Sequence, residues 1–132
     1  MIVPALLSQQ LIRVAALNPK QEVCGLLFGT IDRLENARVT QNVASDPTCT
    51  FEIDPVDLIS AHRAMREGGP ELIGVFHSHP NGVAEPSVVD SQHAVPDGQI
   101  WFIIAAMKIT AWQAVPNGLL HGRFDPVVIL PC

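Results

Sequence analysis

With 132 residues, 48% of them hydrophobic and 16% charged, the chain is sized for one domain that buries about two-thirds of its unfolded surface, and it is too apolar to be disordered. Eight basic residues against thirteen acidic give a net charge of -5 with the histidines neutral, and no Lys/Arg cluster occurs, which argues against a nucleic-acid or anionic-membrane surface. No stretch reaches the roughly 18 apolar residues of a membrane span, and Cys24, Cys49 and Cys132 form neither a Cys-x-x-Cys pair nor a disulfide framework.

The apolar N-terminus, residues 1–17, lacks the basic start of a signal peptide and is broken by Ser8-Gln9-Gln10 and Arg13. It reads as an amphipathic helix from an N-cap at Ser8 to Leu17, with Leu11, Ile12 and Ala15 or Ala16 on one face. A cytoplasmic location is expected. Asn18-Pro19 ends the helix. The continuous apolar run from Val23 to Gly29 predicts a central strand in which Cys24 packs as a small hydrophobe. A less regular strand over 33–43 belongs nearer an edge. Thr50 to Ile53 reads as a short extended piece. Asp54-Pro55 then opens a second helix, with Asp54 as N-cap and Pro55 at the first helical position. Leu58, Ile59, His62 and Met65 fall on one face of it, and Gly68-Gly69-Pro70 stops it.

The next stretch carries the chemistry. Leu72 to Phe76 reads as strand, so His77 and His79, two apart, point to the same side. Pro80, Asn81 and Gly82 break the strand. Ser87 can cap a short helix reaching about Val95, which puts Asp90 in its first turn. Ser87-Val88-Val89-Asp90 also fits a capping box, which would give Asp90 a purely local duty. Two imidazoles and a carboxylate converging from a strand end and a helix start suit zinc with one position left for water.

Pro96-Asp97-Gly98 is a turn, followed by strands at 100–106, 109–115 and 119–124 and a tail near Leu130. Pro116-Asn117-Gly118 is expected to be the hairpin turn between the second and third of these. His121 reads as a strand surface position, His93 as a polar residue of a helix face, and His62 as a half-buried helix residue. Trp101 and Trp112 are expected as core or groove walls. The element order gives an α/β fold with a mixed, mostly antiparallel sheet flanked by helices. Exposed apolar residues at 127–130 offer an edge for pairing between chains, so a homodimer is one expected state.

The run His77-Ser78-His79-Pro80, a loop closing on Pro86, and Ser87-x-x-Asp90 resembles the signature of the JAMM (MPN-plus) metallopeptidases. The resemblance covers nearly the whole chain as a single domain, 1–132, and implies a curved sheet with helices on both sides, as in the cytidine deaminases. It also implies one zinc ion held by His77, His79 and Asp90. A hydrolase of this kind needs a carboxylate base. Spacing alone leaves Glu22, Glu52 and Glu85 open. The family places its glutamate just before a Cys-Gly-Leu-Leu-x-Gly strand, which points to Glu22, and it implies that Ser87 donates to the oxyanion.

The compact bacterial members to which this chain is similar imply cleavage of a peptide or isopeptide bond after the Gly-Gly tail of a small ubiquitin-like or sulfur-carrier protein. Other classes remain as alternatives: a non-catalytic MPN-type binding module, or a structural protein whose His-x-His bonds only locally. A zinc deaminase would need a Cys-x-x-Cys ligand pair that the chain lacks.

Overall fold

The computed structural model describes residues 1–132. In chain order the elements are β1 (Ile2–Val3), α1 (Ala5–Leu17), β2 (Cys24–Gly29), β3 (Leu34–Thr40), α2 (Pro55–Arg66), β4 (Leu72–Ser78), α3 (Val88–His93), β5 (Ile100–Ala105), β6 (Lys108–Gly118), β7 (Gly122–Val127) and β8 (Leu130–Pro131). A six-stranded sheet runs β3-β2-β4-β5-β6-β7. Only the β4–β5 pair within it is parallel, and the connection between those two strands carries α3. The sheet is therefore mixed and mostly antiparallel, as the element order implies.

Both faces are covered, which explains the uninterrupted apolar runs of β2 and β5. On one face, Leu11 of α1 packs with Leu27, Phe76, Phe102 and Ile104. On the other, Ala61 of α2 packs with Leu26 and Phe28, against which Val75 also lies, while Trp101, Ala114 and Phe124 gather around Ala94, just after α3. Alternation along β4 thus sends Phe76 toward α1, and Val75 and His77 toward α2 and α3.

Several local expectations are corrected. Helix α1 starts at Ala5 with Pro4 before it, and Ser8 is no cap, its amide donating to the Pro4 carbonyl at 3.1 Å. The added turn lets Leu7 pack on the core beside Leu11, so burial sets the helix start where a favourable cap residue does not. In α2, Ile59 is 59% exposed while Ala61 is buried, because the face that meets the sheet is centred on Leu58, Ala61, His62 and Met65. Helix α3 ends at His93 rather than Val95, since Val95 precedes Pro96 and is steered to extended backbone.

The hairpin also differs. Pro116-Asn117-Gly118 lies within β6 as an irregularity, with the register passing from Ala114↔Phe124 to Gly118↔Gly122. The chain reverses one step later, at 119–121. Asn117 takes a positive φ of 56°, and Pro116 has no N–H to offer a ladder, so the segment bulges instead of turning. Finally, the tail pairs with the N-terminus of the same chain, Ile2 opposite Leu130 and Val3 opposite Pro131. Part of the edge expected to pair between chains is thereby occupied within one.

Glycine matters most where β4 meets β5. A Cβ on Gly74 would lie 1.8 Å from the Ile100 carbonyl oxygen, and no side-chain rotation relieves a clash with backbone. Gly74→Ala is expected to destabilise the protein by about 3 kcal/mol or more by forcing the central strands apart. Chemical denaturation checks this, and a midpoint equal to wild type would refute it.

Candidate active site

His77 sits in the middle of the sheet, paired with Cys24 of β2 on one side and Ile103 of β5 on the other. Its ring is fully buried, stacked on Phe51 with centroids 4.2 Å apart and meeting Trp101 edge-on at 5.7 Å. The ladder continues past β4: the Ser78 amide donates to the Val23 carbonyl and the His79 amide to the Ile104 carbonyl, both at 2.9 Å. His79 is therefore held in the strand's alternation, and the two imidazoles converge, Nε2 to Nε2, at 2.9 Å.

Asp90 arrives from the start of α3. Ser87 Oγ accepts from the Asp90 amide at 3.0 Å, and the Ser87 amide donates to Asp90 Oδ2 at 2.8 Å, a complete capping box. The same Oδ2 lies 3.1 Å from His77 Nε2 and 3.2 Å from His79 Nε2. The capping role and the convergence on the histidines are thus compatible, because one carboxylate oxygen serves both.

These three atoms form a triangle with edges of 2.9, 3.1 and 3.2 Å. Zinc bound tetrahedrally at about 2.0–2.1 Å to nitrogen and oxygen needs ligand atoms about 3.3 Å apart, so the donor set fits with only slight adjustment. The tautomer fits as well. His79 Nδ1 lies 2.8 Å from the Val83 carbonyl, which can only accept, so Nδ1 carries the proton and Nε2 presents its lone pair to the triangle. The His79 Nε2 lone pair and the Asp90 carboxylate oxygen, facing each other at 3.2 Å, call for a cation between them.

Glu22 precedes β2, its amide donating to the Pro47 carbonyl at 2.7 Å and its carbonyl accepting from Asn42 Nδ2 at 2.9 Å. The side chain is buried, and Oε1 has no hydrogen-bond partner. Oε1 stands 4.0 Å from His77 Nε2, farther than the 3.1 Å of Asp90 Oδ2. Ligand atoms of Glu22, His77 and His79 all fall within 4.8 Å of one another, and Asp90 Oδ2 lies nearer to His77 than the Glu22 carboxyl does. Of the other glutamates left open by spacing, Glu52 and Glu85 are both exposed, although Glu85 lines the same cleft.

Burial pushes the Glu22 carboxyl up to about 7, with His79 pulling it down and Asp90 adding to the rise. Burial also pushes the Asp90 carboxyl up, but the His77 and His79 imidazoles beside it outweigh that and hold the group well below the usual carboxylate range. Burial holds His77 below its ordinary value. Two neighbouring carboxyls are thus driven apart, one kept ionised and the other brought near neutrality.

A cleft of about 370 Å³ opens onto this group and is lined by Glu22, His79, Ser87, Glu85, Cys49 and His121 among others. His121 corrects the expectation of a strand surface: it lies in the β6–β7 turn with a φ of 53° and reaches across to Pro86. Phe51, read from the sequence only as part of a short extended piece, is the platform for the His77 ring. The neighbouring Asp54-Pro55 signal located the helix but not that contact. Trp101 is buried as both core and wall, Trp112 is half-buried, His62 is half-buried and His93 is exposed.

Known proteins are similar to this chain. A desampylase of Haloferax volcanii is 35% identical over 91 residues, 67% of this chain and 66% of that protein. A probable TtuB-protein conjugate cleaving protease of Thermus thermophilus is 36% identical over 76 residues, 58% of this chain and 50% of that one. The matches thus span between half and just under two-thirds of these relatives' lengths. A solved structure of a protein from Desulfitobacterium hafniense superposes with a TM-score of 0.81 at 25% identity, covering 100% of this chain and 93% of that one. The family model described as prokaryotic homologs of the JAB domain matches residues 4–115, most of the chain and including Glu22, His77, His79, Ser87 and Asp90, so this protein belongs to that family.

Proposed function

We propose that this protein is a zinc-dependent hydrolase of peptide or isopeptide bonds, acting after the C-terminal Gly-Gly of a small ubiquitin-like or sulfur-carrier protein. The observation that carries the reading is the triangle of His77 Nε2, His79 Nε2 and Asp90 Oδ2 with an unpartnered, buried Glu22 carboxyl beside it. The relative from Thermus thermophilus, named for cleaving TtuB-protein conjugates, supports a conjugated protein as substrate. The three unpaired cysteines fit a cytoplasmic setting.

His77, His79 and Asp90 would hold the zinc. Bound there, it would polarise the scissile carbonyl and lower the pKa of water. The chain's own residues do the rest. Glu22 Oε1 takes a proton from the attacking water and returns it to the leaving amine, a cycle that suits a carboxyl brought near neutrality by burial. Ser87 Oγ accepts from the Asp90 amide, which leaves its own O–H free to donate to the oxyanion. Such a donor is worth about 3 kcal/mol in typical mutant series.

The test is metal content by mass spectrometry on untagged protein, wild type beside His77→Ala. One equivalent of zinc in the wild type, lost in the variant, is the expected result, followed by release of a Gly-Gly-tailed carrier from a lysine conjugate. Wild-type protein that takes up no zinc when supplied with it would remove the hydrolase reading. Tight carrier binding without turnover would favour the binding-module alternative.

A further inference from the structure

The loop between His79 and Ser87 has neither helix nor strand to satisfy its carbonyls, and side chains take up three of them. Val83 accepts from His79 Nδ1 at 2.8 Å, Ala84 from Thr110 Oγ1 at 2.7 Å, and Pro86 from His121 Nε2 at 3.1 Å. Thr110 is itself oriented by Trp112, whose Nε1–H donates to Oγ1 at 2.9 Å. The segment that links one candidate zinc ligand to the helix bearing the next is thus pinned to β6 and the turn after it.

The contact at Pro86 differs from the other two. The Pro86 carbonyl and the Ser87 amide belong to one peptide unit. Its carbonyl accepts from the imidazole at 3.1 Å, and its N–H donates to Asp90 Oδ2 at 2.8 Å. A carbonyl can only accept, so His121 Nε2 carries the proton in this contact. The peptide is gripped from both ends, and donation into its carbonyl polarises its N–H toward the carboxylate in the same sense. Rotation of this peptide would move the Ser87 hydroxyl and the Asp90 oxygen together.

We propose that His121 is a positioning residue of the site, fixing Ser87 and Asp90 through the Pro86–Ser87 peptide. This rests on the zinc-hydrolase reading for its catalytic consequence, but not for the contact itself. The His121 ring is exposed, so its removal costs the core no burial, and its only hydrogen bond is to Pro86.

The experiment compares wild type with His121→Phe, which keeps a ring but loses the donor, and His121→Gln, which restores an N–H donor. Amide exchange at Ser87, read by NMR on metal-free protein, is expected to be about tenfold faster in the Phe variant, with the thermal midpoint little changed. Zinc should dissociate about 10- to 100-fold more readily, the range typical of lost support around a metal ligand. On a Gly-Gly amide substrate kcat should fall while KM holds. The Gln variant should recover most of each property.

Unchanged Ser87 exchange and zinc affinity in the Phe variant would overturn the proposal, as would a Gln variant impaired as severely as Phe. If wild type itself neither binds zinc nor cleaves, the hydrolase reading fails, and Ser87 exchange in the metal-free proteins still decides whether His121 holds the peptide.

Discussion

Glu22→Gln is expected to lower turnover by about 10²- to 10⁴-fold, the usual worth of a positioned general acid–base, while leaving zinc content at the wild-type level. Gln keeps the shape and loses the proton-carrying oxygen. Oε1 stands off from the imidazoles at 4.0 Å from His77 Nε2, so the three nearer donors should retain the metal. A variant that turns over at wild-type rate would remove Glu22 from the mechanism. One that loses zinc would make it a ligand instead.

The same substitution should have the opposite effect on stability once the metal is chelated away. Burial raises the folded-state carboxyl from 4.5 to about 7. Below pH 4.5 it is neutral in both folded and unfolded chains and costs nothing. Between pH 4.5 and about 7 the unfolded chain ionises more readily, so stability falls as pH rises. Above about 7 the full cost is present, about 3 kcal/mol. Metal-free Glu22→Gln should therefore be the more stable protein at pH 8 and match wild type at pH 4. Equal unfolding midpoints at pH 8 would show that the buried carboxylate is not strained. A group kept at the expense of stability is what a functional site tends to contain.

The second large effect is expected at Asp90. Asp90→Ala should abolish zinc binding and lower the stability of the metal-free protein by about 2 kcal/mol, because the Ser87 amide loses its acceptor and two buried imidazoles lose their carboxylate. Ser87→Ala, by contrast, removes a cap worth about 1 kcal/mol but none of the three proposed ligand atoms, so zinc should stay. Zinc titration and thermal unfolding of the two variants separate these outcomes. Retention of zinc by Asp90→Ala would transfer the third ligand position to Glu22.

Much of the site can be read locally. The alternation that aims His77 and His79 the same way follows from the period of two along a strand, and the Ser87–Asp90 box and the Asp54-Pro55 helix start depend on residues two to three apart. Such contacts need only the backbone conformation that their own segment prefers. The motif's resemblance to a metallopeptidase family added the glutamate, which spacing could not choose.

The remaining features depend on contacts between distant segments. Glu22 reaches His77 because β2 and β4 are adjacent antiparallel strands, a pairing that also brings Val23 to Ser78 across 55 residues. The start of α1 at Ala5, the bulge at 115–117 and the closure of β1 on β8 were set by burial and sheet register, which outweigh the preferences of Ser8 for a cap and of Asn117-Gly118 for a turn. His121 meets Pro86 across 35 residues only because the β6–β7 turn falls after Gly118 instead of at it. The sequence by itself determined the common side of His77 and His79 and the capped helix start that presents Asp90, since both are encoded within short segments. The tertiary structure alone decided what surrounds them, namely the depth of Glu22, the Phe51 platform and the His121 contact, because burial and long-range register exist only once the strands have paired.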